Sequence, residues 1–192
     1  MHWATPWCWT LWAQALLPCA PRRPAACWTR CGSRSSGAIV SEVKTLASGA
    51  GTTKGVDADV ADRVTEEIWT RCGLCQSFAA KTGAVVAITG PIDIVADGAK
   101  AYCIRNGHPM MSAITGTGCQ LSALTAAFIT ANPGQPLEAA AAAVCAMGLA
   151  GEIAHARLTP LDGNATYRNY IIDAIYNMTP AQLEEGAKYE VR

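Results

Sequence analysis

The sequence predicts an α/β sandwich, and three observations carry that expectation. A run of small and β-branched residues lies between glycines (GAVVAITG, 83–90), as suits a strand buried on both faces. An alternating hairpin pattern follows it directly, and three helical stretches then stand behind a glycine turn. The length of 192 residues corresponds to about one domain of 100–200 residues. With 51% hydrophobic and 16% charged residues, the chain can build a sizeable core. A formal net charge of zero argues against nucleic acid or an anionic membrane as main partner, since both reward a basic excess. No run of 18 apolar residues occurs, so no membrane span is expected.

In chain order, VSEVKTLAS (40–48) reads as the start of a short helix, and GAGTTKGVDA after it as a loop. Residues 58–82 read as a helix carrying Val60, Val64, Ile68 and Phe78, with Gly73 as its weak point. After the buried strand, IDIVADG (92–98) alternates and ends in Asp-Gly, with AKAYCIRNG (99–107) as its return strand. His108-Pro109 and a short linker lead to Ile114-Thr115-Gly116-Thr117-Gly118-Cys119, then to an apolar helix over 120–132. Asn132-Pro133-Gly134 stops that helix. Residues 136–158 form a helix so rich in alanine that neighbouring backbones must approach closely. Ala165–Asn177 and Pro180–Lys188 complete the helices, and no internal repeat is evident.

The first 39 residues are written differently. Residues 1–41 hold no Asp or Glu, four Arg, four of the nine Cys and five of the six Trp. From Glu42 onward there are 11 Lys and Arg against 15 Asp and Glu. Cys8, Cys19, Cys27 and Cys31 form no CxxC pair, which disfavours a metal or disulfide site. A targeting segment would explain the missing acids, although not the tryptophans. The genetic code offers a third explanation. Joining the last base of each codon to the first two of the next forces Val at Trp7–Cys8, Leu at Cys8–Trp9, Asp at Trp9–Thr10 and Gly at Trp12–Ala13. The shifted frame then permits VLDPVGAGATALR, and Cys27 to Ala38 permits LDAVRIAVIRG. Residues 1–39 are therefore expected to be an out-of-frame or disordered segment, and 40–192 the domain proper.

Thr115–Cys119, TGTGC, carries the chemistry. Glycines at a helix start let the backbone approach an anion, and the first-turn N–H groups have no partner inside the helix. With the positive end of the helix dipole, they form a site for phosphate or a developing oxyanion. The plainer reading is a glycine loop before a buried helix. Cys119 tips the balance, because it stands in the first turn, where the same field favours negative charge on sulfur. Phosphoryl transfer to an alcohol needs such a cradle with an activating group at its lip.

NGHPMMSAITGTGCQLSALTAAF (106–128), AKTGAVVAITGPIDIVADG (80–98), VSEV (40–43) and GTTKGVD (51–57) resemble the hydroxyethylthiazole kinase family of the ribokinase-like superfamily. Ribokinase relatives usually place Asp after the glycine turn, whereas Cys preceded by NGHP and TGTG marks the thiazole kinases. The resemblance implies a ribokinase-like α/β/α sandwich, incomplete because the N-terminal part is missing. It also implies ATP-dependent phosphorylation of the hydroxyl of 4-methyl-5-(2-hydroxyethyl)thiazole, with Mg2+, in thiamine biosynthesis or salvage in the cytoplasm. By position, Cys119 would be the catalytic residue near the substrate hydroxyl. Gly116, Thr117 and Gly118 would form the anion hole, with Gly116 also touching the thiazole. Thr89 would contact ATP phosphate, and Glu42 would lie near Mg2+ through its water shell, as suits an ion that dehydrates reluctantly. The resemblance implies a homotrimer for the intact family, with the Ala-rich helices partly at the interface.

Two departures stand against activity. The family's Arg and Asn of R-G-N-x-S-E fall on Gly37 and Ile39. Its Asp-Pro-Val-Gly loop exists only in the shifted frame, and loss of the upstream strands would expose a sheet edge. The chain as written is expected neither to fold stably nor to phosphorylate the thiazole, and its in-frame parent to be the enzyme. Competing functions are a hydroxymethylpyrimidine or pyridoxal kinase, which Cys119 in place of Asp disfavours, a non-catalytic remnant, and a metal or redox module built on the cysteines.

Other residues receive plainer expectations. Cys72 and Cys75 (CGLC) lack a second ligand pair and are expected to be structural. His108 is expected to make a structural hydrogen bond, and His155 to be a core or interface residue. Arg157 and Arg168 are expected in surface ion pairs. Turn chemistry accounts for Asp97, which brackets the hairpin with Asp93.

Overall fold

The computed structural model describes Cys8–Thr10, Ser35–Ile39 and residues 68–192. The helix expected at 40–48, the loop behind it and the first part of the helix expected at 58–82 lie outside the described residues. A six-stranded sheet runs in the order β1 (Cys8–Thr10), β2 (Ser35–Ile39), β3 (Val85–Thr89), β4 (Asp93–Ala96), β5 (Ala101–Ile104) and β6 (Tyr189–Val191). β1, β2 and β3 pair in parallel, and β3 to β6 pair antiparallel. β1 and β2 fall at the two stretches where the shifted frame spells V-L-D and A-V-I-R-G.

The alternation of β3, β4 and β5 divides their side chains between two helical layers. Val86, Ile88, Ile94, Ala96, Ala101 and Cys103 meet Cys72, Cys75, Phe78 and Ala79 of α1 (Ile68–Thr82). Val85, Ala87, Val95 and Ile104 meet α2 (Thr117–Ala131) and α3 (Pro136–Ala156) on the other face. Each fully buried Ile or Val removes enough apolar surface for about 1.5–3 kcal/mol. A one-residue slip would exchange the two faces, so the register is strongly held. This three-layer α/β/α arrangement is the one the sequence predicts.

α3 is the central helix. It is long and apolar enough to cross a membrane by length and composition, yet 78% of that window is buried within the fold. Its other side packs against α4 (Asn164–Asn177) through Met147, Ala150, Ala154, Tyr167 and Ile171. The Tyr167 hydroxyl donates to the Gly151 carbonyl at 2.9 Å. A Cβ on Gly148 would come within 2.6–2.7 Å of the Cβ, carbonyl carbon and oxygen of Asn106, so only glycine admits that backbone. The close approach expected of the Ala-rich helix is thus realised at a glycine.

Three details differ from the periodicity. α2 starts at Thr117 rather than 120, because Gly116 takes φ +97° as its N-cap and the helix closes immediately behind it. A short 3-10 helix, Pro109–Ala113, occupies the linker. α5 (Pro180–Gly186) ends sooner than expected and is followed by β6, whose three residues are all exposed and show no burial alternation to read. Pairing with β5 creates that strand, not a local pattern.

Candidate active site

The register places Thr89 and the start of the loop that leads to the glycine turn at one end of the sheet. Asp93 pairs with Ile104 and Ile88 with Ile94, so β3 ends at Thr89 where β5 ends at Ile104. The segment after β5, residues 105–116, therefore leaves from the same end as Thr89. In open α/β sheets that is where ligands gather when strands present their carboxyl ends. Ile39 pairs with Thr89 and Gly37 with Ala87, which puts the family's Asn position beside Thr89 and its Arg position two residues inward. Glu42 lies outside the described residues.

Packing and hydrogen bonds deliver the chain to the glycine turn. Asn106 is buried, and its side-chain oxygen accepts from Lys188 N at 2.7 Å. Its amide donates to the Gly186 carbonyl at 2.9 Å and to Glu152 Oε1 at 3.2 Å. The same Glu152 oxygen accepts from Gly107 N at 2.9 Å, and Lys188 Nζ reaches Oε2 at 2.6 Å. Burial raises the Glu152 carboxyl, but Lys188 and these donors outweigh it, and the group sits below its ordinary range. A hydrogen-bonded carboxylate of this kind fixes Gly107, whose φ of +132° a side chain would strain.

His108 comes next. Burial and the neighbouring His155 hold its imidazole below the ordinary range, with Glu152 opposing. As neutral imidazole its Nδ1 can accept from Met110 N, at 3.2 Å, and so caps the 3-10 helix. That is the expected structural hydrogen bond. His155 is not in the core: it is exposed and stacks on His108 with ring centroids 3.5 Å apart. At the far end of the 3-10 helix, Asn164 Nδ2 donates to the Ala113 carbonyl at 2.9 Å. Arg157 lies over the Tyr170 ring, 4.1 Å from its centroid, and makes no ion pair among the described residues. Asp97 Oδ1 accepts from Ala99 N and Lys100 N, the turn chemistry expected of it, and Asp93 Oδ1 closes the loop after β3 by accepting from Gly90 N.

Thr115, Gly118 and Cys119 are exposed, and Gly116 and Thr117 are half-buried. No side chain caps the start of α2. The first-turn N–H groups of Thr117, Gly118 and Cys119 lie ahead of the first helical bond, from Gln120 N to the Gly116 carbonyl at 3.0 Å. The two glycines have different reasons. Gly116 is required by its positive φ. Gly118 has no positive φ, and a Cβ there would meet nothing within 4 Å, so the protein itself has no need of glycine at that position. What the missing side chain preserves is open space above a row of amides. Gly118→Ala is accordingly expected to leave stability unchanged or raise it by up to about 1 kcal/mol. The same substitution should weaken the site's turnover in the in-frame parent by about 10²-fold through misplacement of the anion. Thermal melts beside steady-state kinetics check both halves.

The arrangement fits a phosphate, for which helix-start amides and dipole suffice. Among the described residues no group of three or more His, Cys, Asp or Glu could hold a metal. Cys72 and Cys75, as expected, are core residues, buried against the sheet.

A family model described as the hydroxyethylthiazole kinase family matches residues 37–181. The chain is similar to the hydroxyethylthiazole kinase of Clostridium acetobutylicum, at 56% identity over 152 residues, covering 79% of this chain and 56% of that one. It is also similar to that of Granulibacter bethesdensis, at 40% identity over 149 residues, covering 78% and 51%. Among solved structures, the hydroxyethylthiazole kinase protein from Pyrococcus horikoshii OT3 superposes with a TM-score of 0.68 at 24% identity, covering 84% of this chain and 56% of that one. That likeness identifies the fold as the ribokinase-like sandwich. The chain spans about half the length of the curated relatives it matches.

Proposed function

The chain belongs to the hydroxyethylthiazole kinase family, and from that premise we propose that it carries the anion-holding and alcohol-activating part of an ATP-dependent kinase. The acceptor proposed is the primary hydroxyl of 4-methyl-5-(2-hydroxyethyl)thiazole, and the pathway is thiamine biosynthesis or salvage. One observation supports this reading above others: an uncapped helix start, kept open by a glycine the fold does not need, with an exposed thiol in the same turn.

The first-turn amides of Thr117, Gly118 and Cys119 would hold the terminal phosphoryl oxygens of ATP and balance the charge that accumulates on them. Cys119 Sγ would take the hydroxyl proton as the alcohol oxygen bonds to the γ-phosphorus. The bond to the ADP oxygen then breaks, giving ADP, the phosphate ester and a proton. Thr89, at the end of β3, is proposed to contact ATP phosphate, and Glu42 to approach Mg2+ through water. Gly116 would bring backbone close to the thiazole.

A second reading applies to the chain as written. Gly37 and Ile39 replace the family's Arg and Asn, and β2 carries both positions to the Thr89 end of the sheet. This favours a non-catalytic form whose coding frame shifts near codon 39. We propose that residues 1–39 are its out-of-frame translation. Sequencing the coding DNA with several hundred upstream bases tests it. One extra or missing base near codon 39 is expected, together with ATP-dependent ester formation by the in-frame parent and none by this chain. An intact frame, or turnover by this chain equal to the parent's, would overturn the frame proposal. No turnover by either, with thiazole alcohol and ATP supplied, would overturn the kinase reading.

A further inference from the structure

The α1 face of the sheet buries three thiols that the proposed kinase chemistry does not use. Cys72 and Cys75 stand three residues apart on α1, so both point into the same core, where Cys103 of β5 meets them. Their contacts are unequal. Cys75 Sγ donates to the Val86 carbonyl at 3.4 Å, whereas Cys72 Sγ lies 3.2 Å from Cys103 Sγ. That separation is about 1.2 Å longer than a disulfide bond of roughly 2.0 Å, across 31 residues of sequence.

A cation stands close to the pair. The Arg192 guanidinium lies within electrostatic reach of both Cys103 and Cys72. Its backbone is anchored there by exchanging hydrogen bonds with Ala101, at 2.8 Å each way, and Glu190 Oε2 takes one of its N–H groups at 2.9 Å. Burial pushes the Cys75 thiol up to about 12, with Cys72 and Cys103 adding to the effect. It stays protonated at neutral pH.

We propose that Cys72 and Cys103 form a reversible disulfide on exposure to a peroxide, tying α1 to β5 and leaving Cys75 as a thiol. Cys72, at 3% exposure against 0% for Cys103, meets the oxidant first. Its sulfur attacks one oxygen of hydrogen peroxide, the O–O bond breaks, and the departing hydroxide takes the thiol's proton as water. Cys103 Sγ then attacks the resulting sulfenic sulfur, the S–O bond breaks, and hydroxide leaves with the Cys103 proton as a second water. Two thiols are oxidised by two electrons and one peroxide is reduced to two waters. An external dithiol reverses the bond by exchange. The proposal is independent of the kinase reading.

The full chain, purified reduced and treated with hydrogen peroxide at pH 7, tests it by alkylation and peptide mapping. A linked peptide joining Cys72 to Cys103, 2 Da lighter than the sum of its parts, is expected, and dithiothreitol should abolish it. Cys75→Ala should leave the linkage in place, and Cys72→Ala should remove it. Linkage of Cys72 to Cys75, linkages scattered among the nine cysteines, or oxidation to sulfinic acid without a bond would each overturn the proposal.

Discussion

Cys119→Ala in the in-frame parent is expected to lower kcat by about 10²–10⁴-fold, the range associated with a positioned proton acceptor. The magnitude follows from what the substitution removes. Cys119 is exposed in the first turn of α2, so losing its sulfur opens no core cavity, and stability should shift by no more than about 0.5 kcal/mol. The amides that would hold the phosphoryl group belong to the backbone and survive the change. KM for ATP should therefore stay close to its starting value while kcat falls. Initial rates against both substrates, with thermal melts on the same preparations, separate these effects. An unchanged kcat would assign the hydroxyl proton to another group. A collapse in both kcat and melting temperature would mean that the thiol is structural.

Gly148→Ala is expected to be the most damaging of the small substitutions in α3. Helix propensity alone would favour alanine by about 1 kcal/mol. The added Cβ, however, would stand 2.6–2.7 Å from the Cβ, carbonyl carbon and oxygen of Asn106, and backbone atoms cannot swing aside as a side-chain end can. Overpacking of this kind costs typically 1–3 kcal/mol or more. A net loss of about 2 kcal/mol corresponds to roughly 4–8 °C in Tm for a chain of this size. Gly73→Ala in α1 is the matched control, because a Cβ there meets nothing within 4 Å, and it should stabilise by about 0.5–1 kcal/mol. If both substitutions raised Tm, the close approach of α3 to Asn106 would be wrong. The consequence reaches the site as well: Asn106 opens the loop that Glu152 and Lys188 hold and that ends in Gly116.

Much of this architecture is local, and so it was readable. GAVVAITG carries its burial in composition, and the hairpin carries its turn in Asp97. The TGTGC turn announces both a left-handed residue and an open helix start, because glycine spacing acts within a few residues. α2 begins three residues before the apolar stretch 120–132, because apolar periodicity marks the buried part of a helix. Thr117, Gly118 and Cys119 are not buried. β6 and the stacking of His155 on His108 had no local signal at all.

Neighbouring residues, then, were enough to specify a layered α/β core, a glycine turn opening onto a helix, and a thiol in its first turn. Packing between distant segments decided which glycine is structural and which is open, that Cys72 meets Cys103, and that one glutamate ties the NGHP loop to the C-terminal strand region. The division has a plain cause. Periodicity and turn preferences arise from torsions and contacts within a helical turn or a hairpin. A hydrogen bond from Lys188 N to Asn106, spanning 82 residues, exists only once helices and sheet have stacked.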